Sequence, residues 1–184
     1  MNMLTYSSYS LCLSLLLAIS IFIHPSNATT NSTFQPSDLV KEVCNQTSNF
    51  TFCVDSLYSD PRTPHADRYV LAYVSFGSAY RNADATRHYI AMLLSNNVSE
   101  PQKRFLQMCS SDYTKAVSKL QEAFGDLDSE TFYSLAKLAA IAASSANDCQ
   151  AAFNGTTSPL TTMNKNLKGL CEICVVVSKL FTQP

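Results

Sequence analysis

Beyond residue 37, apolar residues recur along this chain at steps of three and four, the spacing of helices buried on one side. Asp38 can cap a short helix through Leu39, Val40 and Val43 to Cys44. A polar stretch, 45–49, separates it from a second short helix carrying Phe50, Cys53, Val54 and Leu57. Asp60-Pro61-Arg62-Thr63-Pro64 breaks the pattern, since each proline disfavours α geometry in the residue before it.

Four long helical patterns follow. The first spans about 66–94, with Val70, Tyr73, Gly77, Tyr80, Arg87, Ile90 and Leu94 near one face. Ser99 opens the second, with Pro101 in its first turn and Gln102 at capping-box spacing. Phe105, Met108, Cys109, Ala116, Leu120 and Phe124 form its stripe, and Gly125 is placed to close it. Asp128 is the expected cap of the third, with Glu130 favourable to the helix dipole. Its stripe runs Phe132, Leu135, Ala139, Ala142, Ala146, Cys149 and Phe153, ending near Gly155. Ser158-Pro159 begins the fourth, which carries Leu160, Met163, Leu167, Leu170, Cys171, Cys174, Val177 and Phe181. Short connections turn neighbouring helices antiparallel. The expected fold is therefore all-α: an up-down-up-down four-helix bundle over 65–184, preceded by an N-terminal helical hairpin within 29–64.

The apolar run 11–23 is the length of a signal-peptide core, while a membrane span needs about twenty residues. Pro25 and Ser26-Asn27-Ala28 follow it, so 1–28 is read as a signal peptide removed before the protein acts. The segment 1–10 contains no Lys or Arg. About 155 residues remain, enough for one domain with a substantial core. The formal charge is −1 and no basic stripe occurs, which argues against nucleic acid. Tryptophan is absent and only 4 glycines occur, a balance that suits helices. Asn31, Asn45, Asn49, Asn97 and Asn154 begin glycosylation sequons. The expectation is a secreted monomer of the apoplast or cell wall, with the vacuole an alternative, and no membrane attachment after processing.

Cys12 lies in the signal, leaving six cysteines in an oxidising context. Six allow fifteen pairings. The helix map makes two of these pairs plausible. Cys44 and Cys53 occupy adjacent short helices. Cys109 and Cys149 stand at similar distances from the turn between two antiparallel helices. Cys171 and Cys174 fall inside an apolar helix, where core thiols are favoured. A local or external disulfide, or redox or metal chemistry, are the alternatives. His65 and His88 form no ligand-spaced cluster, so no metal or cofactor is expected.

The pattern resembles the plant invertase and pectin methylesterase inhibitor family, which includes pollen-allergen members. The residues carrying the resemblance are Leu39-Val40 with Cys44, Phe52-Cys53-Val54, Leu57 with Asp60-Pro61, and Ala66-Asp67. Cys109 with Tyr113 and Ala116, Asp148-Cys149 with Phe153, and Ser158-Pro159 extend it to nearly the whole processed chain. The resemblance implies disulfides Cys44–Cys53 and Cys109–Cys149. It also implies stoichiometric docking onto a plant invertase or pectin methylesterase. Some invertase inhibitors of the family carry Pro-Lys-Phe between the second and third bundle helices, where this chain has Glu130-Thr131-Phe132. The whole-chain likeness to the pollen members leans towards invertase.

A protein that docks by a rigid helical face gains from staples that lower the ordering cost of binding. Glu130, Thr131 and Phe132 are candidate partner contacts, as are the polar positions Asp112, Lys115 and Lys119, with Glu122 and Lys137 beside them. An enzyme needs a placed nucleophile or acid–base pair. The acidic cluster Asp126, Asp128 and Glu130 is accounted for by capping and dipole effects, so catalysis is not expected. The alternative is a non-inhibitory helical carrier with Tyr69, Tyr73 and Tyr80 lining a lipid cavity.

Overall fold

A computed structural model of the chain describes residues 35–153 and 155–182. The expected signal peptide, Asn31 and Asn154 lie outside the described residues. Two short helices, α1 (Asp38–Cys44) and α2 (Phe50–Tyr58), precede four longer ones. These are α3 (Arg68–Ser95), α4 (Glu100–Asp128), α5 (Leu135–Ala152) and α6 (Thr161–Ser178). Single 3₁₀ turns follow α2 at Thr63–His65 and α6 at Lys179–Phe181. The described residues contain no strand. Each long helix packs on two neighbours, α3 on α4 and α6, and α5 on α4 and α6, closing a four-membered bundle.

The capping chemistry differs in detail from the sequence expectation. Ser37, not Asp38, caps α1, its hydroxyl accepting the Val40 N–H at 3.4 Å. Asn49 caps α2 and Asp67 caps α3 through side-chain oxygens, at 3.0 and 2.8 Å. Ser99 has cap geometry but no side-chain bond to the helix, so the anticipated capping box is not formed.

The largest departure lies between α4 and α5. Gly125 does not close α4, which continues to Asp128. Asp128 is therefore a last-turn residue rather than a cap, and Phe132 belongs to the connection, not to a helix stripe. Glycine in an exposed helical position costs only about 1 kcal/mol, and buried Ala123 and Leu127 on either side hold the helix together. Termination happens instead at Glu130, which has φ 55°. The Thr131 N–H donates to the Asp126 carbonyl at 2.8 Å and the Glu130 N–H to the Leu127 carbonyl at 3.2 Å, the paired bonds of a Schellman motif. A left-handed conformation strains any residue with a Cβ. Glu130→Gly is expected to raise stability by up to about 1 kcal/mol, read as a higher urea midpoint at unchanged m-value.

The core is one continuous cluster in which Phe76, Ile90, Leu106, Tyr113, Leu120, Leu135, Leu167 and Ile173 are fully enclosed. Each such side chain contributes roughly 1.5–3 kcal/mol by leaving water. On α3 the buried face is centred on Leu71, Ala72, Phe76, Ala79 and Ala83. Of the face expected there, Gly77 and Ile90 are buried, while Val70, Tyr73, Tyr80, Arg87 and Leu94 lie on its half-buried flanks. Small residues at the centre let helices approach closely, and the aromatics frame them. Met108, expected in the α4 stripe, is 55% exposed.

One polar chain crosses this core. The Tyr113 hydroxyl donates to Asn164 Oδ1 at 2.8 Å, and Asn164 Nδ2 donates to Gln150 Oε1 at 2.9 Å. It ties α4, α6 and α5 together, because leaving any member unpaired would cost about 1–3 kcal/mol.

The hairpin of α1 and α2 is fastened in three ways. Cys44 and Cys53 are bridged, their Cα atoms 5.5 Å apart. The Ser48 N–H and hydroxyl both donate to the Glu172 carboxylate of α6, each at 2.7 Å. Phe52 lies so close to Gly169 that a Cβ there would sit 2.6 Å from the ring edge.

The break after α2 is a built corner. Buried Asp60 accepts the Arg62 N–H at 3.0 Å and two guanidinium bonds at 2.9 and 2.7 Å. The Thr63 hydroxyl donates back to the Leu57 carbonyl. These bonds, led by the Arg62 side chain, hold the Asp60 carboxyl down to about 2. A depressed carboxyl adds stability above its unfolded pKa, near 3.9, and loses it as pH falls through about 2. Asp60→Asn is expected to lower the melting temperature by a few degrees at pH 6, with the gap to the parent closing between pH 4 and 2.

Candidate partner-binding surface

Helix α4 has one solvent-facing stripe because its other sides are taken by α3 and α5. Asp112, Lys115, Lys119 and Glu122 recur along it at steps of three and four, which keeps them on one face. Lys119 Nζ pairs with Glu122 at 2.5 Å. Asp112 is half-buried beside the second bridge, Cys109–Cys149, whose Cα atoms are 4.5 Å apart. Partial burial raises the Asp112 carboxyl, Asp148 on α5 raises it further, and Lys115 opposes both. Lys137 is exposed on α5.

Glu130, Thr131 and Phe132 stand beyond the C-terminus of that stripe. From Asp112 to Glu130 is roughly 27 Å at 1.5 Å per residue. The six candidate contacts therefore form a strip ending in a loop, not a pocket. Within the loop, Phe132 is turned inward. Its ring stacks on Phe181 at 4.3 Å between centroids and meets Tyr69 edge-on at 5.9 Å. The Arg68 guanidinium covers Tyr69 and Phe181, at 5.0 and 5.4 Å from the ring centroids. The neighbouring Tyr133 is 92% exposed.

A helix starting at Asp128 leaves Tyr133 without a role, whereas the connection that replaces its first turns exposes the ring. The run Thr131-Phe132-Tyr133 is a signal against that early start, since β-branched and aromatic residues are poor helix formers.

The remaining chemical candidates are tied into the fold. The Ser134 hydroxyl donates to Asp126. The Tyr73 hydroxyl donates to Asp128 at 2.7 Å, a bond that raises the phenol's pKa more than its burial does. Tyr73 and Tyr80 pack on Phe124, and Tyr69 sits in the aromatic cluster, so the three tyrosines contribute to packing at two separate places. Among the described residues, no three His, Cys, Asp or Glu side chains could share a metal ion.

Cys171 and Cys174 are free thiols buried in α6. Burial pushes the Cys171 thiol up to about 12, and raises Cys174 as well. The thiolate is the reactive form, so both are expected to resist a water-soluble thiol reagent in the folded protein. Labelling should proceed at the rate of unfolding; a fast native-state phase would contradict this.

The described residues thus form a bridged helical bundle with a polar strip along α4. Comparison with known proteins supplies the class. Residues 38–177 match the family model described as plant invertase/pectin methylesterase inhibitor. The chain is 33% identical to a pectinesterase inhibitor of Actinidia deliciosa, covering 96% of both chains. It is 35% identical to cell wall / vacuolar inhibitor of fructosidase 2 of Arabidopsis thaliana, covering 83% of this chain and 82% of the relative. The fold matches a crystal structure of a mutant pectin methylesterase inhibitor from Arabidopsis with a TM-score of 0.70, over 78% of this chain and 97% of the other, at 23% identity. This protein belongs to the plant invertase/pectin methylesterase inhibitor family.

Among the described residues, no helix is long and apolar enough to cross a membrane.

Proposed function

We propose that this protein is a secreted inhibitor of a plant carbohydrate-active enzyme, invertase or pectin methylesterase, which it blocks by one-to-one docking. The observation that carries this reading is the end-to-end match to the Actinidia pectinesterase inhibitor. The signal-like N-terminus and the relative named for cell wall and vacuole support delivery to the apoplast, with the vacuole as alternative. The docking surface is the α4 strip of Asp112, Lys115 and Lys119 together with the loop of Glu130, Thr131 and Phe132, whose ring shapes the loop from beneath while Tyr133 projects outward from it.

Relatives named for both targets match at similar identity, so identity alone does not choose between them. The loop lacks the Pro-Lys that precedes the phenylalanine in the invertase-directed kind, and on that ground the pectin methylesterase arm is preferred. The test is titration of the purified protein against each enzyme in parallel. Loss of pectin methylesterase activity near a one-to-one ratio supports the reading. Loss in the invertase arm alone would reverse the preference, and no loss in either would sink the inhibitor reading.

A further inference from the structure

At the end of the bundle opposite the aromatic cluster, the α3–α4 and α5–α6 connections meet over a recess of about 300 Å³. Phe105 and Phe153, their rings 5.4 Å apart, form its floor, and Ser99, Pro101, Gln102, Thr156 and Thr157 surround them at the rim. The volume is at the lower end for small-ligand sites, and an apolar floor with a few polar groups is their usual make-up. A sugar ring has the matching shape, with C–H faces to lay on an aromatic surface and hydroxyl or acetamido groups at the edge.

The chain supplies a tether for such a sugar. Asn97 is exposed and begins the sequon Asn97-Val98-Ser99, whose serine forms part of the rim. The Val98 N–H donates to the Asn96 carbonyl at 2.9 Å, so Asn97 is the apex of a three-residue γ-turn. Two residues of chain span no more than about 7 Å, so the first sugar on Asn97 starts within reach of the recess. Of the other described sequons, the Asn49 side-chain oxygen caps α2, while Asn45 is exposed on the hairpin and does not border this recess. The Asn97 side chain makes no hydrogen bond with another described residue.

We infer that Asn97 is N-glycosylated and that the first acetamido sugar of its glycan lies over the Pro101–Phe105–Phe153 recess. The glycan would cover this end of the bundle and leave the opposite end, with Tyr133, as the bare one. The inference rests on passage through the secretory pathway but not on which enzyme is inhibited.

The test uses the full chain expressed in a eukaryotic secretory host, with peptide mass mapping across Asn97 in the secreted protein. Ser99→Ala removes the sequon without touching the asparagine. The expected result is a glycan at Asn97 that is absent in Ser99→Ala. Magnetisation transfer is also expected between the acetamido methyl of the first sugar and the Phe105 ring, and is lost in Phe105→Leu, which keeps the apolar filling. An unmodified Asn97, or a glycan whose first sugar gives no transfer to Phe105 in the parent protein, would overturn it. A glycan with that ring contact, together with no inhibition in either enzyme assay, would support this site while removing the proposed function.

Discussion

Replacing Cys109 and Cys149 together by alanine is expected to lower the melting temperature by roughly 8–16 °C. The bridge joins residues 40 apart in sequence. In the chain-entropy model, closing a loop of that length contributes about 4 kcal/mol. For a domain near 150 residues, each kcal/mol moves the midpoint by about 2–4 °C. The location of the bridge adds to the effect. It links α4 to α5, and both cysteines are fully buried, so its loss also leaves a gap in the core. Replacing Cys44 and Cys53 should cost less, about 2.7 kcal/mol for a separation of 9 residues. Much of that loss should be confined to the hairpin, visible as faster amide exchange over α1 and α2. Scanning calorimetry on the two double variants decides the matter. Equal shifts, or a shift below about 3 °C for the long bridge, would show that residual structure in the unfolded chain offsets the constraint.

Tyr133→Ala is expected to weaken inhibition by about thirtyfold or more while leaving the melting temperature within about 2 °C of the parent. The side chain is 92% exposed, so its removal takes almost nothing from the fold. Tyrosine offers a large contact area with little flexibility to lose, and truncating a central tyrosine at an interface typically costs 2 kcal/mol or more, which is the stated factor at 1.4 kcal/mol per tenfold. Lys115→Ala and Lys119→Ala should act more weakly and lose their effect at high salt, as rim charges do. Inhibition constants in the responsive assay provide the readout. A Tyr133→Ala constant within twofold of the parent, beside a large loss in the lysine variants, would move the docking centre onto the α4 strip.

The helices themselves were legible in the sequence because their periodic stripes are long, and periodicity survives errors at the ends. Antiparallel packing made the pairing of Cys109 with Cys149 plausible, and the family resemblance implied it; the bridge is present. What could not be read was the phase between α4 and α5. Gly125 looked like a stop, but tertiary packing carried the helix through it, and the actual stop uses Glu130 in a conformation that glycine usually takes. That displacement by a few residues turned Phe132 from a helix residue into a loop residue and hid Tyr133. Helix spacing puts Asp112, Lys115 and Lys119 on one face of α4, where Lys115 is exposed and Asp112 and Lys119 are half-buried. Sequence could not tell that burial and Asp148, on a different helix, act on Asp112. Met108 shows a further limit, because an apolar residue at helical spacing can still face water when its neighbours on that side are charged.

The contact of Phe52 with Gly169 bears on how this protein tolerates change. In a saturation library scored for secretion, the outer face of α6 at Lys165, Asn166 and Lys168 should accept most residues. Gly169, among them, should accept few. A methyl group there would push the Phe52 ring aside and loosen one fastening of the hairpin, while the Ser48 bonds to Glu172 and the buried Val40, Val43 and Leu57 keep it seated. The hydrogen atom in place of a side chain is thus one catch among several between hairpin and bundle.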